Sequence, residues 1–455
     1  MRSILVVLLA PSAVFAEPVG EDTAPPCPPA ELSAGDVESA PLPGEESGRA
    51  DQEAGDSLAR TLGRGALFVP KLAVQGTLAP VRASVWAYER YHLHDRALRL
   101  LFNDAETIGV YPVAQLESQY GVNVGARFVH RDLFGAREHL GLHVGTGGRF
   151  RQIASAAVRS GDRLGPLELE LGGDYERRPR DAFYGIGNAP MLAPDDGETR
   201  FREQLVRATL VGDLRVSGPF HLRASAAIAD FDFARSEDGP PIDQVYPRET
   251  LVGFDGIRHT YGELEVRWDS RRAASSWDVD SVRATGSLLS AFAGRVTALD
   301  AGADYFRVGV DLQHFVTLGR GPRVLSFRFY GETVSGDVDE VPFTQLPRLG
   351  GKTLLRGYAL DQFRDRVAAM ASTEYAWDLN RYLSASTFVD AGRVFPALHD
   401  LAIEDVRVGY GVAIEAHSRR SFLLRASLAS SLDGGLFLDV AFDPVFDLGP
   451  RVERR

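Results

Sequence analysis

The chain has 455 residues, a formal net charge of −12, one cysteine and 25% charged residues. A single cysteine excludes an internal disulfide framework, and an acidic balance without a basic cluster excludes a nucleic-acid footprint. After residue 16 no apolar run reaches the roughly 18 residues that a membrane-crossing helix needs.

Residues 1–16 read as a secretory signal, with Arg2, the apolar run 4–10, and Val14-Phe15-Ala16 as a small-residue cleavage site. Residues 17–65 read as a disordered acidic linker. Residues 17–60 alone hold eleven Asp or Glu against two Arg and no aromatic, a composition that cannot bury enough apolar surface to fold. The acidity thus belongs to the tail. Cys27, set among prolines, is incidental. Residues 66–105 form a pre-barrel segment. There Val81, Val85, Trp86, Leu93, Ala97 and Leu101 recur at three- and four-residue spacing, with Pro80 at the first turn, and predict a helix over 80–102. That helix either plugs the domain C-terminal to it or leads into that domain along the surface; both readings stay open.

From about residue 106 the hydrophobic period is two and stays two. Leu264, Val266 and Trp268 alternate with Glu263, Glu265 and Arg267; Phe306, Val308 and Leu312 alternate with Arg307, Gly309 and Asp311. Segments of about ten residues match the length of a tilted strand crossing a bilayer. Export without a membrane helix, that strand length, and aromatics at strand ends (Trp268, Tyr375, Trp377, Phe442) put the apolar face towards lipid and the charges towards a lumen. The fold class is therefore all-β: a transmembrane antiparallel barrel of about sixteen strands over 106–446, with a C-terminal tail at 447–455. If 138–160 is one long strand, the count falls to fourteen or fifteen. The long connections fall at 177–199, 234–257 and 334–365.

The last of these holds Pro347-Arg348-Leu349-Gly350-Gly351-Lys352-Thr353-Leu354-Leu355-Arg356-Gly357-Tyr358, too rich in glycine for a strand and too long for a hairpin turn. On the next two strands Glu374 shares parity with Ser372 and Met370, and Asp390 with Ser384 and Ser386, so both carboxylates point into the lumen. Folded back inside, the loop brings Arg356 within reach of both, and an arginine fork suits paired carboxylates.

Leu355-Arg356-Gly357-Tyr358 resembles the Arg-Gly-aromatic signature of BamA/TamA-type outer-membrane assembly and secretion barrels, the bacterial surface antigen family. Phe388-Val389-Asp390-Ala391-Gly392-Arg393-Val394-Phe395 is similar to that family's aspartate-glycine strand motif, and Ala371-Ser372-Thr373-Glu374-Tyr375 to the strand before it. Phe183-Tyr184-Gly185-Ile186-Gly187-Asn188 and Trp268-Asp269-Ser270-Arg271-Arg272 are weaker matches. The resemblance implies a loop lock built from Arg356, Gly357, Tyr358, Glu374, Asp390 and Gly392. It also implies a place in the outer membrane of a Gram-negative bacterium, contact with its lipid, and insertion, assembly or translocation of unfolded outer-membrane or secreted proteins. Residues 17–105 are too short to hold a POTRA receiving module together with the linker, which favours a passive barrel, whereas the intact lock favours insertion or translocation with a separate periplasmic partner supplying that module. The alternative is a passive pore or structural barrel that retains the lock.

Enzyme chemistry is not expected. Gly55-Asp56-Ser57-Leu58 lies in the acidic tail with no strand to fix a nucleophile, and Gly-x-Ser-x-Gly is absent. His143, His221, His314 and His417 show no recognisable arrangement. His92 and His94, two apart on a helix, diverge too far to share a metal. No cofactor is implied.

Overall fold

The computed structural model describes residues 90–91 and 100–441, apart from 106, 118–120, 149, 189–198, 237–238, 274–283, 301, 303, 319–322, 381–382 and 418–421. The signal at 1–16, the linker, most of the 80–102 helix, Cys27, Phe442 and the tail lie outside the described residues; Tyr91 and Leu101 flank what is seen of the pre-barrel segment.

The first half of the barrel comprises eight long strands: β1 (Ile108–Glu117), β2 (Gly121–His130), β3 (His139–Gly147), β4 (Arg151–Arg159), β5 (Leu167–Phe183), β6 (Thr199–Ser217), β7 (Phe220–Arg235) and β8 (Ile257–Asp269). The second half adds β9 (Ala284–Ala298), β10 (Tyr305–Thr317), β11 (Arg323–Val334), β12 (Val367–Asn380), β13 (Leu383–Phe395), β14 (Arg407–His417), β15 (Phe422–Ser431) and β16 (Leu436–Ala441). Each pairs antiparallel with its successor, and β16 returns to β1 at Leu116↔Val440. Residues 139–147 and 151–159 are separate strands, which settles the count at the expected sixteen. β5, β9 and β13 run past the ends of the alternating segments read from the sequence. β5 continues to Phe183 through a register shift between Arg178 and Asp181, so the connection after it begins at 184 rather than 177. β13 runs to Phe395.

The side chains are distributed inside out. Leu264, Phe306, Val389 and Val412 lie on the outer face and are at least half exposed. Glu203, Glu265, Asp311, Arg328, Glu374, Asp390 and Arg425 are buried. Only a lipid exterior makes that distribution favourable, because exposed apolar rows aggregate in water and buried charges need partners. Among the described residues no helix is long and apolar enough to cross a membrane.

The three longest connections, 184–198, 236–256 and 335–366, leave from the same end of the barrel. Their aromatics roof it. Phe343 of the 335–366 loop packs 5.4 Å from Phe183, 5.3 Å from Phe201 and 5.5 Å from Phe233 between ring centroids, with Tyr246, Leu251 and Phe254 from the 236–256 connection completing the cluster. From that roof the loop descends into the lumen. A two-residue ribbon, Arg348–Leu349 against Phe363–Arg364, closes its base and frames the tip at 350–362.

The loop seat

Leu355 places the tip. Its backbone is left-handed, φ 61°, which costs a branched side chain on the order of 1 kcal/mol. Full burial among Tyr330, Leu349, Tyr358, Phe363 and Val394 offsets that strain. Arg356 comes next, its main chain pressed against β14. A Cβ on Gly409 would lie 1.7 Å from the Arg356 carbonyl oxygen, so only glycine leaves room there. Gly357, at φ 92°, passes so close to β15 that its own Cβ would meet the Ser430 carbonyl at 2.2 Å. Gly392 leaves a smaller gap for Leu349, whose Cδ1 would stand 3.1 Å from an added Cβ.

The guanidinium of Arg356 sits between the two strands read from parity. Nε donates to Asp390 Oδ2 and Nη2 to Asp390 Oδ1, both at 2.7 Å, a bidentate grip. Nη1 donates to Glu374 Oε2 at 2.7 Å and Nη2 to Ser372 Oγ at 3.1 Å. The Arg356 amide also donates to Asp390 Oδ2 at 2.9 Å, so the carboxylate holds backbone as well as side chain. The Phe388 ring lies 3.5 Å from the guanidinium carbon, adding a cation–π face. Ser372 in turn donates to Asp390 Oδ1 at 2.6 Å.

Two groups that strand parity alone does not single out complete the cluster. Arg425 of β15 donates through Nη2 to both Glu374 oxygens, at 2.9 and 2.8 Å, and through Nη1 to Glu415 Oε1 at 3.0 Å. Glu374 thus bridges two arginines, and the cluster carries three carboxylates against two guanidiniums, all at most 4% exposed as side chains. Buried carboxylates of that number require both cations.

Tyr358 extends the seat to the barrel's last hairpin. Its hydroxyl donates to Asp433 Oδ2 at 2.8 Å in the β15–β16 turn, and Arg407 Nη1 reaches Asp433 Oδ1 at 3.1 Å. Arg407 Nη2 also donates to the Asn188 carbonyl at 3.0 Å, and Asn188 Nδ2 to the Asp405 carbonyl at 2.8 Å. The Phe183-to-Asn188 stretch therefore crosses the barrel mouth from β5 to β14.

The other candidates disperse. His221 bonds Asp213 at 2.9 Å. His314 pairs across strands with Ser287 at 2.8 Å on the lipid-facing side, where no third described group orients it. Among the described residues no group of three His, Cys, Asp or Glu could hold a metal.

Residues 278–433, which contain every member of the seat, match the Omp85 superfamily domain. No curated protein matches the chain. Among solved structures it is similar to BamA from Haemophilus ducreyi lacking POTRA domains 1–3, at 16% identity and TM-score 0.55, over 74% of this chain and 70% of that one. It is also similar to CdiB from Acinetobacter baumannii, at 11% identity and TM-score 0.49 over 73% and 58% of the two chains. The chain spans less than two thirds of that CdiB. The fold is a sixteen-stranded outer-membrane-type β-barrel. Over residues 278–433 the chain is similar to the Omp85 superfamily domain, and its fold is similar to that of the BamA barrel.

Proposed function

We propose that this protein resides in the outer membrane of a Gram-negative bacterium and inserts or translocates protein substrates there. In this reading Arg356, held by Glu374 and Asp390, is the lock that fixes the loop inside the lumen. The seam between β1 and β16 is where the wall parts. The observation that carries the reading is the seat itself: five hydrogen bonds and a glycine-lined contact fix one loop residue to three strands. A separate soluble periplasmic partner would deliver the unfolded substrate.

The test is reconstitution. Proteoliposomes containing the full chain should accelerate folding of a urea-denatured outer-membrane barrel over empty liposomes, and Arg356→Ala should remove the acceleration. The second reading, a passive pore, draws on the inward faces of β3 to β5, where Gly141, His143, Gly145, Ser155 and Glu168 are only partly covered by the described residues. Large, steady conductance in planar bilayers with no folding acceleration would establish that reading instead. A tagged chain that co-purifies with no soluble periplasmic protein would remove the partner from the scheme.

A further inference from the structure

β5 and β6 are the longest strands, of 17 and 19 residues. At about 3.3 Å per residue and a tilt near 40°, 17 residues climb roughly 43 Å, well beyond an apolar band about 25 Å tall. Their ends nearest the long connections must therefore stand in the headgroup layer. Cross-strand register shows where the band stops. Rows running outward from the Phe220–Trp268 pair stay apolar or small through Leu222, Leu210, Leu171 and Ile228, and the row of Tyr175 and Val206 carries the first charges, the paired Asp230 and Arg258. The next row is Gln152, Arg177, Gln204 and Asp232, on β4, β5, β6 and β7. Arg202 lies beyond it on the same face of β6, diagonal to Arg177 and so about 7–8 Å away between Cβ atoms.

Other arginines near this rim are neutralised at short range: Arg258 by Asp230 at 2.9 Å, Arg295 by Asp304 at 2.8 Å, Arg235 by Asp243 at 2.8 Å. Arg177 has no hydrogen bond or ion pair among the described residues, and its Nε is cut off from solvent. Arg202 touches Asp232 only loosely, at 3.6 Å, and its Nε is equally unmatched. Arg200 lies one step further out, with Nη1 on the Arg180 carbonyl at 3.3 Å. Among the described residues two guanidiniums thus face a single carboxylate, Asp232, at one point of the rim, leaving net positive charge directly above lipid-facing side chains and flanked by two glutamine amides.

We propose that Arg177 and Arg202, with Gln152 and Gln204, bind the phosphate of a phosphorylated lipid headgroup in the leaflet that faces the long connections. A phosphate lying between the two guanidiniums accepts from both forks, while its acyl chains lie against Tyr175, Val206 and Leu210. Charge complementarity and continuity with the lipid-facing belt identify a lipid rather than a protein as the occupant. The site is remote from the loop seat; it rests on the proposed place in the outer membrane but not on the proposed insertion or translocation activity.

The experiment uses the purified full chain in a non-ionic detergent with three probes: lipid A, its dephosphorylated analogue and inorganic phosphate. Native mass spectrometry should show wild type retaining lipid A. Arg177→Gln/Arg202→Gln should bind it about tenfold more weakly, and Arg258→Gln, whose arginine is already paired, should bind it as wild type does. All variants should keep the wild-type heat-modifiable gel mobility, since neither Arg177 nor Arg202 supports the barrel wall. Equal retention by the double variant, or equal binding of the dephosphorylated analogue, would overturn the proposal. Inorganic phosphate occupying the site as well as lipid A does would overturn the lipid as its ligand.

Discussion

The 335–366 loop buries two arginines, and they are held in opposite ways. Arg356 at the tip has two carboxylates, a serine and an aromatic face around it. Arg364 at the base is as deeply buried, yet Nη1 and Nη2 donate only to the carbonyls of Phe343 and Asp361, at 3.3 and 3.2 Å, and Nε has no partner. Its guanidinium rests 4.9 Å from the Phe183 ring, and among the described residues no carboxylate comes within ion-pair distance. Burial, only partly opposed by Asp361, pushes its pKa down to about 10. The base is joined instead to the 184–198 connection by backbone, Gly187 N–H donating to the Arg364 carbonyl at 2.8 Å, and to the roof of phenylalanines by packing. Charge fixes the tip and packing fixes the base, so substitutions at the two ends should behave differently.

The largest effect belongs to Arg356→Ala. It leaves Glu374 and Asp390 facing each other with only Arg425 beside them, at a cost of about 3–5 kcal/mol. The temperature at which the folded band disappears in a heat-modifiability gel should fall sharply. An unchanged transition would mean that the tip contributes nothing to the folded barrel. Asp390→Asn should give a milder version, since Asn still accepts one hydrogen bond but loses the bidentate grip.

Arg425→Ala ranks second, at about 2–3 kcal/mol. This arginine touches no loop residue, so a purely local view of the loop expects little. Through Glu374 it neutralises half of the seat. Its substitution should therefore both lower the gel transition and raise protease cleavage within 350–362, and intact protease resistance would break the coupling.

Arg356, Glu374 and Asp390 could be singled out from the sequence while Arg425 and Glu415 could not, and the reason lies in the limits of parity. Alternation tells which side chains face the lumen. It says nothing about height. Glu374 pairs with Phe388, Phe388 with Gly411 and Gly411 with Ala429, so Arg425 starts two same-face positions away from that row. Reaching Glu374 from there depends on barrel shear and side-chain length, neither of which is written in the alternation. The sixteen strands were legible because each repeats one simple pattern. The ends of β5 and β13 were not, because charged and glycine residues there continue the ladder outside the apolar band. The crossing of Asn188 to Arg407 was equally invisible, being a contact between residues 219 positions apart.

Tyr358→Phe tests the link from the tip to the last hairpin. It removes one hydroxyl bond to Asp433 and keeps the ring against Phe363, so the cost should be about 1 kcal/mol. Hydrogen exchange of β15–β16 amides should quicken while that of β5–β8 stays as it was. Uniform quickening would show that Tyr358 supports the whole barrel rather than the hairpin beside the seam.

Arg364→Met should produce the smallest change, and its sign separates the two ends of the loop. A base whose folded pKa lies near 10, well below the ordinary arginine value, holds fewer protons when folded than unfolded between those two values. Stability therefore rises as pH climbs through that window, and at neutral pH the charge is a burden on the fold. Methionine removes the burden and keeps most of the contact with Phe183, while two carbonyls lose a donor. These terms oppose each other, and the net should lie within about 1 kcal/mol of zero. A fall as large as that of Arg356→Ala would mean that Asp181 or Glu203, whose fields reach Arg364 without direct contact, depends on its charge. The base would then be a second electrostatic seat, and the contrast between the two ends of the loop would disappear.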